Sequence, residues 1–200
     1  MRRGFRSVAV SISLLAGCAS TPEFPPAPQV PFDQVRAKQM LQEGNNTVAG
    51  KVLLRLSSGG ALTCAKGSVR LFPLTTYASA WADAVYYAQA SEPETPADFA
   101  YLPKSKRMPD SRFDANFLTT QRSVHCDRDG QFLIEFIKDG DYLLEADLIW
   151  QQDIHDDLHF YYGREYFSKE GAVVKRFRIL GGRMVFLDMQ WTVKNKRYAF

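Results

Sequence analysis

His155 and His159 stand four apart in DIHDDLHFYY, a spacing that on a helix would align two imidazoles to hold a metal, with Asp156 beside them. The metalloprotease form of that pattern needs a glutamate directly after the first histidine as general base, and here Asp156 follows instead. No third ligand is evident, so surface histidines are expected and no metal. Serine catalysis lacks its Gly-x-Ser-x-Gly turn, and neither a phosphate loop nor a dinucleotide fingerprint appears. The expectation is a non-enzymatic protein without a cofactor; a hydrolase with an unrecognised site is an alternative. Aromatic side chains are the remaining candidates. Trp81, Tyr86 and Tyr87 lie in TYASAWADAVYYAQA, and Phe160, Tyr161, Tyr162, Tyr166 and Phe167 lie in HFYYGREYF with Arg164 and Glu165. Rings of this kind can stack on sugars or peptides, so Trp81, Tyr86, Tyr87, Tyr161 and Arg164 form the candidate ligand-binding set. The alternative is that these rings fill and cover a core.

The elements that must position these residues read mostly as strands. In TVAGKVLLRL, Val48, Val52, Leu54 and Leu56 share a face with Gly50, while Thr47, Lys51 and Arg55 take the other. SVRLFP puts Val69 and Leu71 inward, and QFLIEFI puts Phe132, Ile134 and Phe136 on one face. YLLEADLIW sets Tyr142, Leu144, Ala146, Leu148 and Trp150 against Leu143, Glu145, Asp147 and Ile149. VVKRFRIL offers Val173, Phe177 and Ile179, and RMVFLDM offers Val185, Leu187 and Met189. Six or seven short strands between Gly and Asp turns predict an antiparallel sandwich. Residues 76 to 90 repeat Tyr77, Trp81, Val85 and Ala88 at helical spacing, which predicts a helix inside an insertion spanning residues 75 to 121. A short helix is also expected in PFDQVRAKQMLQEGNN, capped by Asp33 and ended by Gly44.

The first eighteen residues carry an address. Arg2, Arg3 and Arg6 precede an apolar run from Val8 to Ala16 that is about half the length of a membrane-spanning helix, the layout of an export signal. Leu15, Ala16, Gly17 and Cys18 resemble the lipobox of bacterial lipoproteins. That resemblance implies cleavage before Cys18, acyl chains on its sulfur and new amino group, and firm attachment to a bilayer. The alternative is an ordinary secretory signal with a chance cysteine. Ala19 in place of aspartate favours the outer membrane, facing the periplasm, under the same resemblance. Pro22, Pro25, Pro26, Pro28 and Pro31 then predict an extended tether, which at about 3.1 Å per residue would hold the folded part some 40 Å from the lipid.

Of the 200 residues, the signal takes three arginines, leaving 22 basic against 22 acidic groups, so the net charge of +3 belongs to the signal. A balanced mature chain argues against nucleic acid as a partner. The expected organisation is signal 1 to 17, lipidated proline-rich tether 18 to 46, one sandwich domain 47 to 191 and a basic tail 192 to 200.

Residues 50 to 77 and 125 to 147 resemble the carboxypeptidase regulatory-like domain. Gly50, Val52, Gly67, Val69, Leu71, Asp127, Gly130, Phe132, Gly140, Asp141 and Tyr142 fill its turn and core positions. The resemblance implies a transthyretin-like, seven-strand Greek-key β-sandwich, and it offers no template for the helical insertion. It also lets the segments of Cys64 and Cys126 neighbour each other; an even pair in an exported protein suggests a disulfide, the alternative being two separate buried thiols. Motifs of this type specify a fold rather than an activity. The functional expectation is therefore a membrane-anchored envelope lipoprotein acting as a binding or assembly module for another envelope protein, with a glycan-binding module as the alternative.

Overall fold

The structure is a computed structural model that describes residues 24–55, 61–65, 67–87, 99–103, 108–153 and 166–192, without the side chains of residues 99, 101, 103, 149–153, 166–170 and 191. It is mainly β, with two sheets packed as a sandwich. In chain order the elements are α1 (Gln34–Met40), β1 (Asn46–Arg55), β2 (Ala61–Thr63), β3 (Ser68–Pro73), α2 (Thr76–Ala82) and β4 (Phe99–Pro103). There follow α3 (Ala115–Thr119), β5 (Arg122–His125), β6 (Gln131–Ile137), β7 (Gly140–Asp153), β8 (Tyr166–Ile179) and β9 (Met184–Thr192). Sheet A has β1 at its centre, flanked on one side by β6 and β2 and on the other by β9. Sheet B runs β4, β8, β7, β3, β5.

Period-two patterning explains the layer between the sheets. Val48, Val52, Leu54, Phe132, Ile134, Leu187 and Met189 of sheet A meet Val69, Leu71, Tyr142, Leu144, Ala146, Leu148, Val173 and Ile179 of sheet B. Gly50 belongs to this layer because the Phe132 ring lies across it: a Cβ there would sit 2.5 Å from that ring. The turn after Asp127 forms as its residues dictate. Gly130 takes φ +75°, while the Asp127 carboxylate accepts from the backbone N–H groups of Asp129 and Gln131 at 2.9 and 2.8 Å.

Four expectations are corrected. First, the β1–β9 pairing is parallel, in an otherwise antiparallel set, and the described residues hold nine strands, β2, the insertion strand β4 and the short β5 being the three not foreseen. Second, Phe136 does not join Phe132 and Ile134. A bulge opposite the stretch Asn46 to Val48 adds a residue to β6, Phe136 takes φ +57° and turns outward, and Ile137 is buried in its stead. Third, the predicted helix over residues 76 to 90 is α-helical only to Ala82 and continues as a π-helical turn over Asp83–Tyr87; Ala88 lies outside the described residues. Fourth, the proline-rich segment is not free along its length: Phe24, Val30 and Phe32 pack on the insertion, since apolar side chains between the prolines find an apolar surface to cover. The helix expected after Asp33 is α1; the Asp33 carboxylate accepts from Arg36 N–H at 2.9 Å, and the last turn ends at Leu41, short of Gly44. Leu56, Cys18 and residues 193 to 200 lie outside the described residues.

Candidate functional site

The insertion covers the outer face of sheet B. Phe72, Leu143, Ala172 and Val174 on that face form one cluster with Tyr77, Ala78, Trp81, Val85, Tyr86, Phe113 and Phe117. Ring centroids lie 5.1 Å apart for Phe72 and Phe117, 5.2 Å for Trp81 and Phe117, and 5.5 Å for Trp81 and Tyr86. Thr75 caps α2 by accepting from Ala78 N–H at 3.2 Å, and the Tyr77 hydroxyl accepts from Asp114 N–H at 2.8 Å, tying α2 to the start of α3. As a stacking platform this set is therefore corrected: Trp81 and Tyr86 are both 0 % exposed and belong to the core under the insertion. Tyr87 is half-buried with the Arg176 guanidinium 4.4 Å above its ring. The reason is hydrophobic burial, because sheet B is apolar on both faces and its outer face needs a cover. Tyr161 and Arg164, like His155 and His159, lie outside the described residues. The β7 and β8 strands pair without interruption to Asp153 opposite Tyr166.

Under the insertion runs a buried polar network. Glu145 of β7 is 0 % exposed; its carboxylate accepts from the Tyr86 hydroxyl and lies 3.0 Å from Arg70 Nε as an ion pair rather than a well-directed hydrogen bond. Arg70 Nη2 also meets Asp147 Oδ1 at 2.5 Å, and Ser68 Oγ donates to Asp147 Oδ2 at 3.0 Å. Arg176 of β8 clamps the far end of the helix, donating to Ser79 O at 3.1 Å and Asp83 Oδ1 at 2.7 Å. Glu145 and Arg176 reach from sheet B to the insertion and hold it down, while Ser68, Arg70 and Asp147 tie β3 to β7 beneath it. Among the described residues no group of three His, Cys, Asp or Glu is placed to hold a metal ion.

Among the described residues the outer face of sheet A has no such cover. Register puts Met184 beside Thr47, Phe186 beside Ala49 with Leu133 on the other side, and Asp188 beside Lys51 with Gln131 on the other side. Inward neighbours Val185, Leu187 and Met189 belong to the core, so these residues face out. Phe186 is 63 % exposed, Met184 69 %, Leu133 49 % and the bulge residue Phe136 60 %. Sequence patterning missed this surface for β6 and underused it for β9, where large apolar side chains at alternate positions Met184 and Phe186 mark a second apolar face.

One end of that face is fixed by a turn cluster. Buried Asn46 donates to Ile137 O at 2.8 Å and Asp139 Oδ1 at 2.9 Å, and accepts from Arg183 N–H at 2.9 Å; Gly181 N–H donates to Asp139 Oδ1 at 2.9 Å. Hydrogen bonds from Asn46 and then Gly181 hold the Asp139 carboxyl below its usual pKa. Asp141 is lowered too, first by its paired hydrogen bonds from Arg178 at 2.5 and 2.9 Å. Burial pushes the Tyr142 phenol up to about 12; its hydroxyl lies 3.0 Å from both Met40 O and Lys138 O. The other fixed point is covalent: Cys64 and Cys126 form a disulfide with Cα atoms 5.7 Å apart, across 62 residues of chain.

No protein-family model and no curated protein matches the chain. Among solved structures it is similar to a candidate carbohydrate binding protein from Pseudomonas aeruginosa, with 25 % sequence identity and a TM-score of 0.54, over 81 % of this chain and 99 % of that one.

Proposed function

We propose that the chain is a non-enzymatic binding module of the bacterial envelope that recognises a saccharide. The observation that carries the reading is the similarity over 81 % of the chain to a protein described as a candidate carbohydrate binder. It is supported by the one sheet face among the described residues that presents aromatic and apolar side chains next to hydrogen-bonding ones. The seven strands other than β2 and β4 are read as a transthyretin-like Greek-key sandwich of the carboxypeptidase regulatory-like type, with the insertion as its added part.

The same reading places the module on a membrane through acyl chains on Cys18, in the outer membrane facing the periplasm. Packing of Phe24, Val30 and Phe32 on the insertion shortens the spacer to the five residues between Cys18 and Phe24, a reach of about 20 Å where a free tether would give about 40 Å. Two measurements test this. Purified protein titrated with cello-, chito- and maltohexaose and with isolated peptidoglycan sacculi is expected to bind at least one, and no binding to any removes the saccharide reading. Cys18→Ser is expected to abolish acylation and membrane retention; a variant still processed and membrane-bound removes the lipoprotein reading.

A further inference from the structure

We propose that the saccharide is bound on the outer face of sheet A, with Phe186, Leu133 and Met184 as the apolar platform, Phe136 at its end, and Lys51, Asp188 and Gln131 as the polar row beside it; this rests on the saccharide-binding reading above. Phe186, Ala49 and Leu133 are in register across three strands, which at about 4.8 Å between strands spans roughly 10 Å, the scale of a short run of sugar rings. Two residues further along β1, on the same face, Asp188, Lys51 and Gln131 form the next row. Sugars present apolar C–H faces and hydroxyl edges, and a binding surface for them combines apolar area with a few placed donors and acceptors.

Charge and area choose the occupant. Lys51 and Asp188 are neighbours of opposite sign, so the row offers donors and acceptors without a net field, which suits a neutral polyhydroxyl ligand and not a phosphate polymer. The exposed apolar patch is on the order of a few hundred Å², while a stable protein interface takes about 800 Å² from each partner. Phe136 adds an independent sign. A phenylalanine at φ +57° is a costly conformation for a bulky L-residue, and it turns outward a ring that strict alternation would have buried. On the other sheet, by contrast, the aromatic side chains of the insertion are spent on the core.

The test is a titration of protein carrying ¹³C-methyl methionine and leucine with each hexasaccharide and with solubilised sacculus fragments. Met184 and Leu133 methyl signals are expected to shift, and the signal of buried Met189 to stay nearly constant. Phe186→Ala should weaken binding at least tenfold and Phe136→Ala several-fold, while Val35→Ala, an exposed position on α1, should leave it unchanged. Because Phe186 is exposed, its variant should keep the parent melting temperature, and Met184→Ser serves as a second probe should it not. Binding that persists in both variants without Met184 shifts overturns the location and leaves the saccharide reading standing. Absence of binding to every probe overturns both. Met184 shifts that grow with protein concentration alone make the occupant a second copy and overturn the proposal.

Discussion

Phe136 concentrates the conflict between local conformation and tertiary context. Its left-handed backbone costs about 1 to 2 kcal/mol for an L-residue, and glycine pays no such cost. Phe136→Gly is therefore expected to stabilise the fold by about 1 kcal/mol, read as a higher urea midpoint at unchanged slope, since the exposed ring contributes little to the core. Single carboxylates and the phenol set the pH limits. Asp139 and Asp141 have folded pKa values below the ordinary 3.8, so the stability they contribute is complete above that value and disappears as pH falls through their lower folded values. Melting temperature should hold steady from neutral pH to about pH 5 and fall below about pH 4, and Asp141→Asn should flatten part of that fall. Tyr142 has the opposite form: its folded pKa is raised from 10.0 to about 12, so its contribution is complete below 10 and lost as pH rises toward 12. Tyr142→Phe should remove that alkaline loss.

At the scale of elements, β3, β7 and β8 are buried on both faces, and what covers their outer side is the insertion. The connection between Tyr86 on the π-helical turn and Glu145 on β7 is the deepest tie between the two, because a buried carboxylate needs its donors. Tyr86→Phe removes one such donor and should destabilise by about 2 kcal/mol. Hydrogen exchange should rise first over residues 76 to 87 rather than in β1 or β6. In combination with Glu145→Gln the loss should be less than additive, since the pair shares one interaction. The insertion helix and the cap of α1 at Asp33 were legible in the sequence, from helical spacing and from the capping residue. The role of the insertion was not, because a row of aromatic residues at helical spacing reads the same whether it faces a ligand or a sheet.

For the whole molecule, the Cys64–Cys126 disulfide joins the segment before β3 to the segment before β6 and so spans the whole insertion. Cross-linking across 62 residues should stabilise by roughly 4 kcal/mol in the chain-entropy account, so Cys64→Ala with Cys126→Ala should lower the urea midpoint by that equivalent. Mass spectrometry without reductant should recover the linked peptide. Several features follow from the sequence alone: the inward faces of β1, β7, β8 and β9, the turns at Asp127 to Gly130 and at Gly181 and Gly182, and the even pair of cysteines apart from Cys18. Each depends on neighbours in the chain, through side-chain alternation, glycine at positive φ or simple parity. Only the tertiary structure decided that Phe136 turns out while Ile137 turns in, that Trp81 and Tyr86 are core, and that β9 lies parallel to β1 and leaves Met184 and Phe186 uncovered. Alternation records which side chains are apolar, but whether an apolar face becomes interior or surface depends on which distant segment packs against it.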